Sequence, residues 1–258
     1  MWGVLSKVHD ISGRSRKDIM GLDVSAAKAV SINDHHENGV NTSIEANPTR
    51  SRNGGTLLIH VFSRNGNGSR RDDGNPLIHA MKSRRGFTIT AHWRSQVMRR
   101  ARAILAKVGE DLEGFDYVMP VPSSSEFCAA FASEVAAAAQ VPLLDPGFMR
   151  KATVGEVLAR LAASPPKVRP GLKVTYTSQL HAWQRMDGSA EYQAKEIDVK
   201  IRHLVEPFVV HGEPPSLQGK RVLIADDLVA SGTSIRSART LLHGRGAQVS
   251  GITFLSGA

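Results

Sequence analysis

The chain has 258 residues, which is the length of one large domain or of a domain with an extension. A hydrophobic content of 41% excludes wholesale disorder, and a single cysteine excludes a disulfide framework and a multi-cysteine zinc site. The net charge of +9 at neutral pH indicates an anionic partner. The lone cysteine also indicates a reducing, cytoplasmic compartment. No apolar stretch approaches the roughly 20 residues of a membrane span, so no membrane partner is expected.

The positive charge is concentrated in the N-terminal part of the chain. Residues 1–110 hold 18 Lys and Arg against 9 Asp and Glu, whereas residues 111–258 hold 15 of each. A basic segment of this kind indicates a nucleic acid, a phosphorylated substrate or an anionic surface as partner. A solvated basic face is an equally good interpretation, and patterning alone leaves both open.

Residues 1–54 are predicted to form a basic, poorly ordered extension, because they are polar, turn-rich and short of large apolar side chains. Within them we expect only a short helix around Val24–Val30. His35 and His36 are adjacent, and no Cys or His follows them at the spacing of metal ligands. We therefore interpret both as solvated loop histidines.

Residues 55–258 show the pattern of an α/β domain with a parallel sheet and flanking helices. The apolar run Thr56–Phe62 predicts the first strand, and Pro76–Ile89 is a second apolar segment. Apolar side chains then recur at helical spacing over His92–Gly109. The opposite face of this predicted helix carries Arg94, Arg99, Arg100 and Arg102.

The middle of the chain begins with a short buried strand at Phe115–Pro122, which is stopped by prolines. Ser123, Ser124 and Ser125 follow it and can cap an alanine-rich helix. Residues 150–200 are loop-like around a predicted strand at Leu172–Thr177. A long irregular segment inside a compact domain indicates either a functional lid or a wrong assignment of elements, and a mobile lid within residues 150–200 is our interpretation.

The C-terminal part predicts a strand–helix–strand unit of about thirty residues. Its first strand is the apolar run that ends in Asp226 and Asp227. The helix that follows ends at Gly244, and Ala247–Leu255 is the next strand.

The segment Val222–Ile235 combines that strand, two carboxylates and a run of small and hydroxylic residues. Asp226 and Asp227 stand at the C-terminal end of the strand, the edge of a parallel sheet where ligands bind. The run that follows consists of Ala230, Ser231, Gly232, Thr233 and Ser234. Small residues let the backbone approach an anion, and a helix N-terminus offers N–H groups to it. The pattern predicts a phosphate cradle beside carboxylates that suit sugar hydroxyls or Mg²⁺, whereas the plainer alternative is an ordinary capped turn.

The motif VLIADDLVASGTSI resembles the phosphoribosyl-diphosphate (PRPP) binding motif of the type I phosphoribosyltransferases. The resemblance implies that Asp226 and Asp227 hold the ribose hydroxyls and that residues 230–234 hold the 5′-phosphate. It implies that the loop with Ser123, Ser124 and Ser125 contacts the diphosphate. It also implies Mg²⁺ as cofactor, brought by PRPP, with Asp226 and Asp227 as its candidate protein contacts. The motif GK[ST] is missing, which removes the main support for a P-loop NTPase.

The order of segments over residues 74–258 is similar to that of the competence-protein-F-like (ComF-like) branch of this family. NPLIHAMKSRRG, MPVPSSS and LLDPGFMRKAT precede the PRPP motif in that arrangement. Many relatives of this branch begin with a cysteine-rich metal-binding segment, whereas Cys128 is alone here. We expect Cys128 to be a small buried hydrophobe, and we do not carry over the function of the cysteine-rich segment.

The family often carries basic residues on a mobile lid between these loops. Candidates here are Arg150, Lys151, Lys195, Lys200 and Arg202. Of these we prefer Lys151 and Arg202. The residues Lys82, Arg84 and Arg85 resemble a basic segment of the ComF-like sequences. They are candidates for contacts with the diphosphate or with a nucleic-acid backbone.

The resemblance implies a phosphoribosyltransferase that transfers the phosphoribosyl group of Mg-PRPP to a nitrogen nucleophile and releases diphosphate. The sequence does not identify the acceptor base. The alternative is a non-catalytic PRPP- or nucleotide-binding module that acts in nucleic-acid binding, uptake or regulation, with nucleic acid held by the basic N-terminal half. The resemblance also admits a homodimer.

Overall fold

The computed structural model of the chain describes residues 21–36, 39–64, 75–123, 125–193, 196–198, 200–213, 215–229 and 232–256. Three residues of the predicted site, Ser124, Ala230 and Ser231, lie outside the described residues. So do the lid candidate Lys195 and residues 1–20 of the predicted extension.

Among the described residues, five strands precede the first helix, and strands and helices are interspersed after it. The strands are β1 (Gly21–Val24), β2 (Ala29–Asn33), β3 (Val40–Asn41), β4 (Thr49–Asn53), β5 (Thr56–Arg64), β6 (Thr88–Ile89), β7 (Tyr117–Pro120), β8 (Met149–Lys151), β9 (Phe208–Val210), β10 (Arg221–Leu228) and β11 (Gln248–Leu255). The helices are α1 (Pro76–Met81), α2 (Ala91–Lys107), α3 (Gly109–Leu112), α4 (Glu126–Ala139), α5 (Val154–Ala163), α6 (Lys173–Gln184) and α7 (Thr233–His243).

The largest sheet has the strand order β3-β5-β11-β10-β7, with β4 paired to β5. Strands β5, β11, β10 and β7 run parallel, whereas β3 and β4 are antiparallel to β5. Helices cover both faces of the parallel strands, so β10 is buried from Val222 through Asp227. The predicted α/β class with a parallel sheet and flanking helices is therefore confirmed, and antiparallel strands extend the sheet at one edge.

The two faces of the sheet pack into separate hydrophobic cores because side chains alternate along each strand. On β10, Leu223 and Ala225 face the core that contains α1, α2 and α4. Val222 and Ile224 face the other core, which contains α7. The C-terminal ends of β10 and β7 thus lie between α4 on one face and α7 on the other.

Residues 21–53 contain strands where little order was predicted. The helix predicted around Val24–Val30 is wrong, because β1 and β2 form an antiparallel hairpin there. Burial along β2 alternates, with Val30 and Ile32 buried between half-buried neighbours, which is the period of a strand. The domain boundary at residue 54 stays a prediction, although β4 pairs with β5 across it.

The described residues between 150 and 205 pack around a third, smaller core. The strand predicted at Leu172–Thr177 is wrong, because most of it belongs to α6. Tyr176, Leu180 and Trp183 recur at helical spacing and contact this core, whereas Val174 is exposed. Val174 and Tyr176 alternate as in a strand, but only Tyr176 faces the core. A mobile lid within residues 150–200 stays a prediction.

Membrane spans were predicted to be absent. Among the residues that the structure describes, every helix is too short or too polar to cross a bilayer.

Candidate active site

Two adjacent carboxylates lie at the C-terminal end of β10, where the parallel sheet meets the surface. Asp226 and Asp227 are buried, with 8% and 6% of their surface exposed. The backbone N–H of Asp227 donates to Oδ1 of Asp226 at 2.8 Å. The neighbouring strands β7 and β11 hold this end in place, since Ala225 pairs with Pro120 and Asp226 with Thr253. The centre of the site therefore consists of two buried carboxylates at the end of a strand that is paired on both sides.

Lys82 neutralises one of these acids. It directly follows α1, which buries Leu77, Ile78, Ala80 and Met81, and its Nζ forms an ion pair with Oδ2 of Asp227. Only 12% of the Lys82 side chain is exposed. The sequence marked Lys82 as a basic candidate but contained no signal for this partner, which lies far away along the chain.

Cys128 lies beside both carboxylates. Its Sγ is within 4.8 Å of a carboxylate oxygen of Asp226 and of Asp227, and the thiol donates to the carbonyl oxygen of Ala225 at 3.6 Å. Burial, followed by the two negative charges, raises the pKa of this thiol. Cys128 is thus buried, as expected, and its place against the acids was not predicted.

Burial makes the carboxylate pair difficult to ionise fully. Desolvation and then the charge of Asp227 raise the pKa of Asp226 to about 8, although Lys82 acts in the opposite direction. The pair with Lys82 therefore carries less negative charge at neutral pH than two exposed aspartates would. Groups that donate hydrogen bonds, such as sugar hydroxyls, suit such a pair.

The described part of the predicted phosphate cradle begins at Gly232, the N-cap of α7. Gly232 has a φ of 69°, in the left-handed region that favours glycine. Its carbonyl accepts the first helical bond, from the N–H of Arg236 at 2.9 Å. A Cβ at this position would collide with the side-chain amide of Asn53 in β4. Thr233 is buried and Ser234 half-buried, so α7 begins in a confined place beside the carboxylates.

The predicted diphosphate loop borders a cavity of about 360 Å³, here called the serine cleft. The serine cleft lies between the end of β7 and the first turn of α4 on one side and the residues around β8 on the other. Its described lining residues are Pro120, Val121, Pro122, Ser123, Ser125, Cys128, Ala129, Asp145, Pro146, Gly147, Met149, Arg150, Lys151 and Glu191. Ser123, Ser125, Cys128 and Lys151 all line it. The structure thus brings two of the predicted serines together with two of the candidate lid cations, Arg150 and Lys151, next to the thiol that contacts the carboxylates.

The basic side chains that line the serine cleft are paired with carboxylates. Nζ of Lys151 donates to Oε1 of Glu191 at 2.8 Å. The guanidinium of Arg150 binds Glu156 through two hydrogen bonds, of 2.8 and 2.6 Å. This arginine holds the pKa of Glu156 at about 2.

Arg202, the other preferred lid cation, lies elsewhere in the structure. It is buried, and its Nε donates to the carbonyl oxygen of Ile197 at 2.8 Å within the small core of residues 150–205. It is not among the described residues that line the serine cleft. Its role in binding a ligand stays a prediction, and the structure places it as a support of that core.

A second cavity, of about 450 Å³, opens beside the same helix start and is here called the basic cleft. It is lined by Met81, Lys82, Ser83, Arg84, Arg94, Ser125, Glu126, Phe127 and Ala130. Ser125 lines both clefts, and Lys82 connects the basic cleft with Asp227. The two clefts therefore lie on either side of the start of α4.

The arginines of α2, which suggested a nucleic-acid surface, have partners within the molecule. Arg94 donates to the carbonyl oxygen of Met81 at 2.6 Å, and Arg100 to Oγ1 of Thr42 at 3.0 Å. Arg102 binds Glu134 through two hydrogen bonds. A contact of these side chains with a phosphate backbone stays a prediction.

A family model described as "Phosphoribosyl transferase domain" matches residues 170–256, about a third of the chain. A segment of 36 residues is 53% identical to an orotate phosphoribosyltransferase of Nitrosococcus oceani. That segment is 14% of this chain and spans only 16% of the length of the relative.

Solved structures of adenine phosphoribosyltransferases are also similar to this chain. The enzyme of Thermoanaerobacter pseudethanolicus has 20% identity and a TM-score of 0.33, over 63% of this chain and 81% of the other. The enzyme of Trypanosoma brucei, solved with AMP, pyrophosphate and ribose-5-phosphate, has 11% identity and a TM-score of 0.36, over 92% and 87%. The family model covers β10, α7 and β11, so this model relates the part of the chain that carries Asp226 and Asp227 to phosphoribosyl transferase domains.

Proposed function

We propose that this protein binds Mg-PRPP and transfers its phosphoribosyl group to a nitrogen nucleophile. The observation that carries the proposal is the pair of buried carboxylates at the end of β10, directly before a left-handed glycine and the N-terminus of α7. The serine loop of the neighbouring strand β7 lies beside them. A phosphorylated sugar with a second phosphate group needs these three elements at one edge of a sheet.

Each element receives one part of PRPP. Asp226 and Asp227 accept hydrogen bonds from the ribose hydroxyls, and residues 230–234 hold the 5′-phosphate with backbone N–H groups and hydroxyls. Ser123, Ser124 and Ser125 bind the diphosphate in the serine cleft, and Lys151 supports it from the opposite wall. We propose that a mobile lid lies within residues 150–200 and that Arg202 is, with Lys151, one of its candidate cations.

Mg²⁺ fits this site when it is bound together with the diphosphate. The carboxylate oxygens are hard ligands that suit Mg²⁺, but the ammonium of Lys82 already lies on Asp227 and the Sγ of Cys128 is a soft neighbour. The donor set therefore favours Mg²⁺ held mainly by PRPP oxygens, with Asp226 and Asp227 near it. When bound, Mg²⁺ offsets the negative charge of the leaving diphosphate.

The residues of the chain bind, orient and shield the reacting groups. The lone pair of the acceptor nitrogen forms a bond to the anomeric carbon while the bond from that carbon to the diphosphate oxygen breaks. The diphosphate leaves with the bonding electrons, and where the acceptor nitrogen carries a proton, that proton passes to an oxygen of the departing diphosphate. The buried carboxylates hold the ribose during this step, and a closed lid excludes the water that would hydrolyse PRPP.

The proposal is tested by calorimetric titration of the full chain with Mg-PRPP, followed by a diphosphate-release assay over a panel of free nitrogenous bases. We expect saturable binding of Mg-PRPP and base-dependent release of diphosphate. Ribose 5-phosphate with Mg²⁺ serves as the matched ligand without the diphosphate, and it should bind more weakly. Absence of Mg-PRPP binding by the folded protein would contradict the proposal.

The second candidate is a non-catalytic PRPP- or nucleotide-binding module of the ComF-like type, which acts in nucleic-acid binding, uptake or regulation. The charge excess of residues 1–110 supports it. Saturable binding of Mg-PRPP with no diphosphate release for any base would favour this module. For both candidates we propose a cytoplasmic location, because a lone buried thiol suits a reducing compartment. A homodimer is compatible with both candidates.

A further inference from the structure

We propose that Asn53, at the tip of the β4–β5 hairpin, is a positioning residue of the 5′-phosphate cradle. Its carboxamide holds the left-handed backbone of Gly232, and this backbone aims the first N–H groups of α7 at the phosphate. The inference rests on the proposed function, because it adds a residue to the same site. Strand β4 lies outside residues 170–256, so the hairpin extends the site beyond the range of the family model.

The carboxamide of Asn53 occupies the space that a side chain at position 232 would fill. The three heavy atoms nearest to a Cβ built on Gly232 are Nδ2, Cγ and Oδ1 of Asn53. Gly232 is the N-cap of α7, and its φ of 69° is left-handed. Glycine at this position therefore permits the turn into the helix and also leaves room for the amide. The Asn53 side chain lies directly against the backbone that begins the cradle.

The hairpin presents Asn53 in a defined position. Asn53 pairs with Thr56, so Gly54 and Gly55 form a two-residue turn, and their φ values of 55° and 83° are those that a type I′ turn requires. The carbonyl oxygen of Gly54 accepts a hydrogen bond from Nη1 of Arg239 at 3.2 Å. Arg239 lies about two turns further along α7 than the N-cap. The tip of the hairpin thus contacts α7 at two places.

A chain of hydrogen bonds ties β4 to the parallel sheet. The hydroxyl of Thr253 donates to the carbonyl oxygen of Leu255 at 3.1 Å, so its oxygen accepts from Nδ1 of His60 at 2.7 Å. Nε2 of His60 then accepts from the hydroxyl of Ser51 at 2.8 Å. Burial lowers the pKa of His60, which suits the neutral ring that this chain needs. Ser51 and Asn53 lie on one face of β4, two residues apart, so the chain fixes the strand that carries Asn53.

An amide suits this position better than an acid does. The NH₂ group of Asn53 donates hydrogen bonds, and the side chain carries no charge that repels a phosphate. A carboxylate in its place would compete with the phosphate, because the N-terminus of a helix stabilises any nearby anion. Replacement of Asn53 by aspartate therefore separates stability from binding. The start of α7 keeps a favourable partner, whereas the cradle loses affinity for its ligand.

The test measures the affinity of the full chain for Mg-PRPP and for Mg-diphosphate by calorimetric titration. We expect Asn53→Asp to weaken Mg-PRPP about tenfold or more, the effect of one charge-assisted hydrogen bond, and to leave Mg-diphosphate unchanged. Its melting temperature without ligand should equal or exceed that of the wild type. The control Gln248→Glu makes the same change from amide to acid at an exposed residue at the opposite end of the parallel strands. The control should keep both affinities.

A second set of variants tests the contact itself. Gly232→Ala alone should lower the melting temperature, because the Cβ adopts a left-handed backbone and also collides with Asn53. Asn53→Ala removes the collision, so the double variant should recover part of that loss. Both Asn53→Ala and the double variant should still bind Mg-PRPP more weakly than the wild type, because neither has the carboxamide. Additive losses of melting temperature would show that the two residues act independently and would overturn the inference.

The pattern of affinities separates this inference from the proposed function. Wild-type affinity for Mg-PRPP in folded Asn53→Asp and Asn53→Ala overturns the inference, whereas the proposed function then stands. Equal weakening of Mg-PRPP and Mg-diphosphate also overturns it, because Asn53 then affects the site as a whole. The same loss in Gln248→Glu would reduce the effect to net charge, with the same consequence. Failure of the wild type to bind Mg-PRPP overturns the proposed function itself.

Discussion

At the scale of single residues, Asp226 makes the stability of the fold depend on pH. An unfolded aspartate titrates near 3.8, whereas burial raises the pKa of Asp226 in the folded chain to about 8. Between these values the folded state holds a proton that the unfolded state has lost, so unfolding releases it. We therefore expect the free energy of unfolding contributed by this site to fall as the pH rises from about 4 to about 8.

Urea denaturation of the wild type and of Asp226→Asn at about pH 5.5 and about pH 8 checks this dependence. The amide cannot ionise, so the variant should lose less stability between the two pH values than the wild type does. The same difference in both proteins would show that Asp226 ionises normally in the fold.

The ion pair of Lys82 with Asp227 is the second residue-scale feature with a measurable effect. Both side chains are largely buried, so Lys82→Met leaves a buried carboxylate without its cation. We expect a loss of about 3–5 kcal/mol in the free energy of unfolding near neutral pH. The double variant Lys82→Met with Asp227→Asn should recover most of that loss, because the unpaired charge is gone. Additive losses in the double variant would contradict a direct pair.

At the scale of elements, the start of α7 depends on the backbone of Gly232. Gly232→Val places a β-branched side chain at a φ of 69° and against Asn53, so we expect local strain of about 1–3 kcal/mol and loss of the 5′-phosphate site. Melting temperatures with and without Mg-PRPP measure both effects. The wild type should gain stability from the ligand, and the variant should gain none.

Gly212→Val is the matched control for that experiment. Gly212 has nearly the same φ, 71°, and a Cβ there would meet nothing within 4 Å. The control should suffer similar strain and still be stabilised by Mg-PRPP. Equal stabilisation of all three proteins by the ligand would place the 5′-phosphate away from the start of α7.

Elements were predictable where local pattern and tertiary packing agree. The apolar run Val222–Ala225, the two acids and the glycine that ends α7 are local signals, and β10, α7 and β11 were predicted correctly. The pattern failed at α6, where Val174 and Tyr176 alternate as in a strand but only Tyr176 contacts the small core. It also failed at β1 and β2, which have only four and five residues, so that the alternation of Val30 and Ile32 spans too short a run to decide between strand and helix.

At the scale of the whole molecule, the features that were not predicted are contacts between distant segments. Lys82 meets Asp227, and Cys128 meets both acids, only because α1 and α4 pack on the same face of the sheet. The strand order places β11 between β5 and β10, which no local pattern contains. The residues of the site were therefore predictable where they share one motif, whereas the charge balance of the site was not.

The basic N-terminal half is the last whole-molecule feature. The arginines of α2 already have hydrogen-bond partners within the molecule, which limits the ligands that they can bind. Arg102 is held by Glu134 through hydrogen bonds of 2.8 and 2.6 Å, and Arg100 is held by Thr42, so a phosphate backbone must replace existing partners. We expect single-stranded DNA to bind no more tightly than a typical non-specific ligand, with a Kd of about 10⁻⁴–10⁻⁶ M at physiological salt.

Glu134→Gln tests whether the α2 face takes part in that binding, since it releases Arg102 from its carboxylate and raises the net charge by one. The control Glu213→Gln makes the same change in charge at an exposed residue of the C-terminal half. If the α2 face contacts the backbone, Glu134→Gln should strengthen binding and steepen its salt dependence, because one more phosphate contact releases one more counterion. The control should do so far less. Equal effects of the two variants would show that the basic half attracts DNA only through its net charge, without a contact of the α2 face. A Kd well below micromolar at physiological salt would favour the nucleic-acid module over the enzyme.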